Sequence, residues 1–133
     1  MPRQIFVNLP VKNLERSKAF FSALGYSFNP KFTDEKAACM IIGENIHAML
    51  LSEPFFQTFI SKRIADATQT TEVLIALNCD SRAEVEDMVA KAVQAGGRPA
   101  REAKDHGFMY EHAFEDLDGH IWEVFWMDPG SAQ

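Results

Sequence analysis

The sequence has no stripe of basic residues. Its 13 Lys and Arg stand against 19 Asp and Glu, a formal charge of -6 at pH 7. That balance argues against a nucleic-acid partner, which needs clustered cations to neutralise phosphates. No apolar run is long enough to span a bilayer, and the first residues lack the charged-then-apolar order of a signal peptide. Cysteine is scarce: Cys39 and Cys79 lie in separate apolar runs with no ligand spacing around them. They read as buried free thiols, which favours a reducing cytoplasm. A Gly-rich phosphate loop, a Ser or Cys nucleophile elbow and zinc-finger spacing are all missing. What is present is an apolar fraction of 47% with eleven Phe in 133 residues. That is enough for a real core in one domain.

Gln4 to Val11 alternates as a strand does, with Pro10 limiting pairing near its end. Asn13 is a suitable N-cap for a helix through Leu24, whose stripe is Leu14, Ser17, Phe21 and Leu24, flanked by Phe20, before Gly25 closes it. Tyr26 to Phe32, Ala37 to Ile42 and Ile46 to Leu51 read as strands, with a turn at Gly43-Glu44-Asn45. Ser52 is expected to cap a short helix containing Pro54. Lys62 to Thr71 is polar and reads as a connection. Then the order repeats. Glu72 to Cys79 is a strand, and Asp80 or Ser81 caps a helix with the stripe Val85, Met88, Val89, Ala92 and Val93. Arg98 to Arg101 is a short strand, Glu102 to Gly107 a charged loop, and Phe108 to Phe114 a strand. The chain is thus read as α+β, one domain of two βαβββ modules at about residues 1–61 and 72–128, with helices on one face of mixed sheets.

The run Asp116-Leu117-Asp118-Gly119 is a tight-turn signal. After it, Trp122, Val124 and Trp126 share one face of a strand, and Ile121, Glu123 and Phe125 the other. Both faces are largely apolar, so both should be covered, and Glu123 is a carboxylate among hydrophobes. A buried charge is costly unless it is paired or protonated. Three readings are open. Glu123 is bonded to a Tyr, Trp, Arg or backbone amide of another strand; or it anchors a ligand in an apolar cavity; or it is a general base.

The segment Asn8-Leu9-Pro10-Val11-Lys12-Asn13-Leu14-Glu15-Arg16-Ser17 with Phe20-Phe21, then Leu24-Gly25-Tyr26, then Phe114-Glu115-Asp116-Leu117-Asp118-Gly119-His120 with Trp122-Glu123, resembles the vicinal oxygen chelate superfamily. That superfamily includes glyoxalase I, bleomycin-resistance proteins and extradiol dioxygenases. The resemblance spans nearly the whole chain and implies curved sheets that enclose a cavity, and a homodimer. It also implies four metal-ligand positions, which fall at Phe6, near Leu50, at Leu74 and at Glu123. Three of these are apolar, and Met49 and Leu51 are no better as ligands than Leu50. One carboxylate cannot hold a divalent cation that prefers about four to six N or O donors. The usual metal site is therefore expected to be absent, and no cofactor is expected.

The resemblance implies a cavity lined by Phe6, Asn8, Leu50, Leu74, Phe108, Tyr110, His112, Glu123 and Phe125, with Asn8 and Asn78 as a symmetry-related pair. The expected function is binding of a small, partly apolar molecule without a metal. Two alternatives stand beside it. One is a lyase or isomerase using Glu123 with displaced His ligands, such as His106 and His112. The other is a structural dimer whose cavity is filled by its own side chains. The loop Arg98 to Gly107, with Arg101 and Lys104, could close over a cavity mouth.

Overall fold

A computed structural model describes residues 2–131. The chain forms two compact units, divided between Ala65 and Asp66, and each carries the same order of elements. In the first, β1 (Ile5–Val11) leads into α1 (Leu14–Ala23), followed by β2 (Ser27–Phe28), β3 (Ala37–Gly43), β4 (Ile46–Ser52) and a short α2 (Glu53–Gln57). In the second, β5 (Leu74–Asn78), α3 (Arg82–Gln94), β6 (Arg98–Asp105), β7 (Met109–Glu115) and β8 (Ile121–Met127) follow in turn. Each unit holds one four-stranded mixed sheet, in the orders β1-β4-β3-β2 and β5-β8-β7-β6. This is an α+β fold of two βαβββ modules.

The helix ends show how closely the two halves correspond. The Asn13 side chain accepts from the Arg16 amide at 3.1 Å, and the Ser81 hydroxyl from the Glu84 amide at 3.1 Å. Each satisfies a donor the helix itself leaves open. At the other end, the amides of Tyr26 and Gly25 donate to the carbonyls of Phe21 and Ser22. Those of Gly97 and Gly96 donate to Ala92 and Val93 in the same pattern. Both are Schellman closures, turned by a glycine at positive φ, Gly25 and Gly96.

Two stretches depart from the sequence expectation. Tyr26 to Phe32 forms only a two-residue strand and then a 3-10 turn over Pro30–Phe32. The Asn29 side chain accepts from the Lys31 amide at 3.0 Å, and Pro30, with no N–H to give a ladder, starts the turn. Glu102 to Asp105 is strand rather than loop. The sequence hides it because β6 is the outermost strand of its sheet and has five charged residues and no large apolar one, as exposed edges often do. A lid over Arg98 to Gly107 is thereby ruled out. Arg98, Pro99, Arg101, Lys104 and Asp105 pair with β7, and Arg82 grips Asp105 through two bonds of 2.7 and 3.0 Å.

In the second unit α3 lies against β6, β7 and β8. Arg82 of that helix sits 5.3 Å from the centroids of both Tyr110 and Trp126. The face carrying Tyr110, His112, Phe114, Trp122, Val124 and Trp126 is therefore the helix-covered one. Trp122, Val124 and Phe114 on it are buried. In the first unit the covered face carries Leu9, Val11, Ala38, Met40, Ala48 and Leu50, all buried, with α1 against β3 and β4.

Candidate functional site

The face of the first sheet turned away from α1 is set by register; it is exposed at Phe6 and Asn8 and buried at His47, Leu51, Cys39 and Ala37. β1 and β4 run parallel with Phe6 beside His47, Asn8 beside Met49 and Pro10 beside Leu51. Paired residues of neighbouring strands point the same way, so these six side chains share a face. The rings of Phe6 and His47 stack at 4.6 Å between centroids, 11° from parallel. Phe6 is 44% exposed and His47 only 8%. The His47 Nδ1 is buried and has no hydrogen-bond partner. A buried nitrogen left in this state costs on the order of 1–3 kcal/mol. Nearby, the Asn8 amide donates to the Phe6 carbonyl at 3.2 Å.

Leu50 does not belong to this face. It pairs with Leu9 and is 0% exposed, on the side that packs the helix. The physical reason is the two-residue period of a strand: a slip of one residue moves a side chain to the opposite face. Symmetry of the register gives the proper equivalent. Glu123 is beside Ala76, two residues beyond Leu74; the residue beside Asn8, two beyond Phe6, is Met49.

The corresponding face of the second sheet is of another kind. It carries Leu74, Ala76 and Asn78 of β5, Glu123 and Phe125 of β8, Glu111 and Ala113 of β7, and Arg101 of β6. One nitrogen of Arg101, Nη2, bonds Glu111 Oε1 at 2.5 Å and Glu123 Oε2 at 3.0 Å. His106 Nε2 lies 3.0 Å from Glu111 Oε2. Partial burial works against the Arg101 charge, but the hydrogen bond to Glu111 and the charges of Glu123 and Glu111 hold its pKa above the ordinary value. The hydrogen bond from Arg101, opposed by partial burial and helped by His106, holds the Glu111 carboxyl below its own ordinary value.

Tyr110 and His112 lie on the other face of β7 from Glu123, against α3, and do not line this surface. They were expected to join Glu123 because alternation within β7 correctly groups them with Phe114, while nothing local says which face α3 takes. Phe108 stands in the turn before β7, 49% exposed, its ring 6.2 Å from that of His106. Leu74 is exposed at 51%. The sequence reading passes over Glu111, and places Arg101 at the end of a short strand without pairing it to Glu123. The available signal was parity: Glu111 has the parity of Ala113 and Glu115, opposite to Tyr110.

The turn before β8 is built on a buried carboxylate. Asp116 Oδ1 accepts from the amides of Asp118 and His120 at 2.9 and 3.0 Å, and Oδ2 from the Trp122 indole at 3.0 Å. Burial pushes the Asp116 carboxyl up from its usual range, against the pull of His120 and the Trp122 indole. Gly119 has φ +90°, and a Cβ there would come 2.8 Å from the Ala67 carbonyl oxygen. No side chain fits. The terminal motif thus serves to place β8 and, with it, Glu123.

The first part of the chain, residues 3–43, matches the family model for the bleomycin resistance protein-like N-terminal region. A hypothetical protein from S. aureus of known structure is 30% identical, with a TM-score of 0.80 and 95% of each chain covered. A glyoxalase-related enzyme from Fulvimarina pelagi superposes with a TM-score of 0.78 at 21% identity, covering 95% of this chain and 88% of that one. The chain has the fold of proteins named for the glyoxalase/bleomycin resistance/dioxygenase family, and its first part matches the bleomycin resistance protein-like model. The fosfomycin resistance protein FosX from Mesorhizobium loti shares the fold at a TM-score of 0.68 and 14% identity, over 95% and 92% of the two chains. No protein with a curated description matches the sequence.

The likeness to that fold raises the question of a metal, and the residues present do not fit one. Phe6, Met49 and Leu74 stand at three of the ligand positions and offer no N or O donor. Glu123, at the fourth, is engaged by the Arg101 guanidinium. The displaced set does not assemble either, because His112 points to the α3 side of β7. Among the described residues no three His, Cys, Asp or Glu side chains are grouped to hold a metal ion.

Proposed function

We propose that this protein binds a small, partly apolar molecule with a flat portion, without a metal, on the face of its first sheet that carries Phe6 and His47. The observation that carries the reading is the Phe6–His47 stack with its unpartnered Nδ1. Phe6 is half exposed and covers the imidazole. A planar ligand that trades places with the Phe6 ring gains the same stacking surface, and a polar substituent that bends past the imidazole edge meets the unspent nitrogen in the ring plane. Met49 and Asn8 flank the pair on the same face and supply a soft apolar contact and an amide. Glu123 acts here through Arg101, as part of the framework of the second sheet, and not as a base.

The free thiols Cys39 and Cys79, both buried, suit a cytoplasmic location. No helix among the described residues is long and apolar enough to cross a membrane. A second copy of the chain is the proposed partner for the exposed Ile5 and Ile46 pair at the start of β1 and β4. Sedimentation would then give a dimer mass, and Ile46→Lys a monomer.

The binding test is a screen of flat aromatic fragments by ligand-observed NMR. Hits should bind wild type and lose about tenfold or more in affinity in His47→Leu, which keeps bulk and removes the nitrogen. Hits that bind His47→Leu and Phe6→Ala as well as wild type would sink the proposal.

A further inference from the structure

The unspent nitrogen of His47 has a definite polarity. Of the two ring nitrogens only Nδ1 is both buried and without a partner. Nδ1 is bonded to the ring carbon that carries the side-chain stem, whereas Nε2 is at the far end of the ring, where water reaches it. A neutral imidazole has one N–H and one lone pair. A buried N–H without an acceptor is rarer in folded proteins than a buried acceptor short of a donor. The proton therefore belongs on Nε2, and Nδ1 keeps a lone pair in the ring plane.

The neighbours narrow the choice of ligand. Phe6 flanks His47 from β1, Ile41 flanks it from β3, and Met49 follows two residues on along β4. None of these side chains has an N–H or O–H to offer. The Asn8 amide, beside Met49, already donates to the Phe6 carbonyl. None of the four carries a charge, and an ion brought among them without a partner is costly. We infer that this face selects neutral planar molecules that donate a hydrogen bond, such as phenols and N–H heteroaromatics, over acceptors and anions, with His47 Nδ1 as the acceptor. That selectivity presupposes the flat-ligand site proposed above and adds the chemistry by which it chooses.

The test uses near-isosteric pairs that differ in the donor: phenol against fluorobenzene, and indole against benzofuran, with benzoate as the anion. Affinities come from ligand-observed NMR on wild type and His47→Leu at about pH 8, where an ordinary imidazole is neutral. In wild type each donor should bind about fivefold to tenfold tighter than the other member of its pair, and benzoate weakest. In His47→Leu the members of each pair should bind alike. Long-range proton–nitrogen NMR spectra of free wild type, assigned by the signals lost in His47→Leu, should show Nδ1 as the unprotonated ring nitrogen. Pairs that bind alike in wild type yet weaken in His47→Leu would overturn the donor preference and leave the flat-ligand site standing. A protonated Nδ1, or a donor preference that persists in His47→Leu, would overturn it as well. Fragments indifferent to His47→Leu, or no binding at all, would remove the site itself and the preference with it. If His47→Leu does not fold, the wild-type pairs and the tautomer decide the question.

Discussion

The two modules share an order of elements, a sheet order and a helix-closing motif, yet the faces turned away from their helices differ. The first ends in a stacked Phe6–His47 pair with a nitrogen left unused. The second is crossed by a network of Arg101, Glu111, Glu123 and His106 in which the charges already have partners. Equivalent backbone positions have thus been put to opposite uses, one with recognition capacity to spare and one with it satisfied internally. The lesson is that the fold fixes where side chains point, and the residues there decide whether that face is free to bind.

The largest expected effect tests the register that defines the first face. Leu50→Ala should cost about 2–5 kcal/mol in urea unfolding, as a fully buried Leu does, while Met49→Ala on the other face should cost less than half as much. Equal losses would undo the assignment of faces. Next comes a contrast between the turns. Gly119→Ala meets both a positive φ and the Ala67 carbonyl, and should cost about 2–4 kcal/mol. Gly43→Ala in the first module has 3.7 Å of clearance to its nearest neighbour and should stay within about 1 kcal/mol. A harmless Gly119→Ala would show that the Asp116 turn does not need its close approach.

A smaller effect separates the faces by pH. The Glu111 pKa is lowered on folding, so its contribution is present above the ordinary carboxylate value and is lost as pH falls through the folded one. Thermal midpoints measured from pH 6 down to pH 3 should therefore fall more steeply for wild type than for Arg101→Gln. Parallel curves would mean the network carries no linked stability. The smallest effect concerns the thiols. Burial, with Glu84 and Asp80 nearby, pushes Cys79 up to about 11, and burial also raises Cys39. Iodoacetamide at pH 7.5 should label neither at a free-thiol rate unless urea is added. Rapid labelling of native protein would show that these residues are not packed as described.

Much of the fold was legible because it rests on local signals. Asn13 and Gly25 mark α1, Ser81 and Gly96 mark α3, and Asp116 to Gly119 marks the last turn. The second site was legible only in part. Glu123 stands out as a lone carboxylate in an apolar strand, but its partner Arg101 is 22 positions earlier, and nothing within either strand points to the other. Pairing between strands, not pattern within one, brings them together. Leu50 was misassigned for a related reason: in Ala48-Met49-Leu50-Leu51 both faces of β4 are apolar, so hydrophobicity does not reveal which face a residue takes, and only pairing with β1 does.

The central claim is that the first face is free to bind and the second is satisfied. The most direct measurement is a backbone and imidazole NMR titration of wild type with the best flat fragment from the screen. The account predicts shifts at Phe6, Asn8, His47 and Met49, including the His47 ring nitrogens, with Arg101, Glu111 and Glu123 unmoved. Shifts confined to Glu111, Glu123 and Arg101 would contradict it.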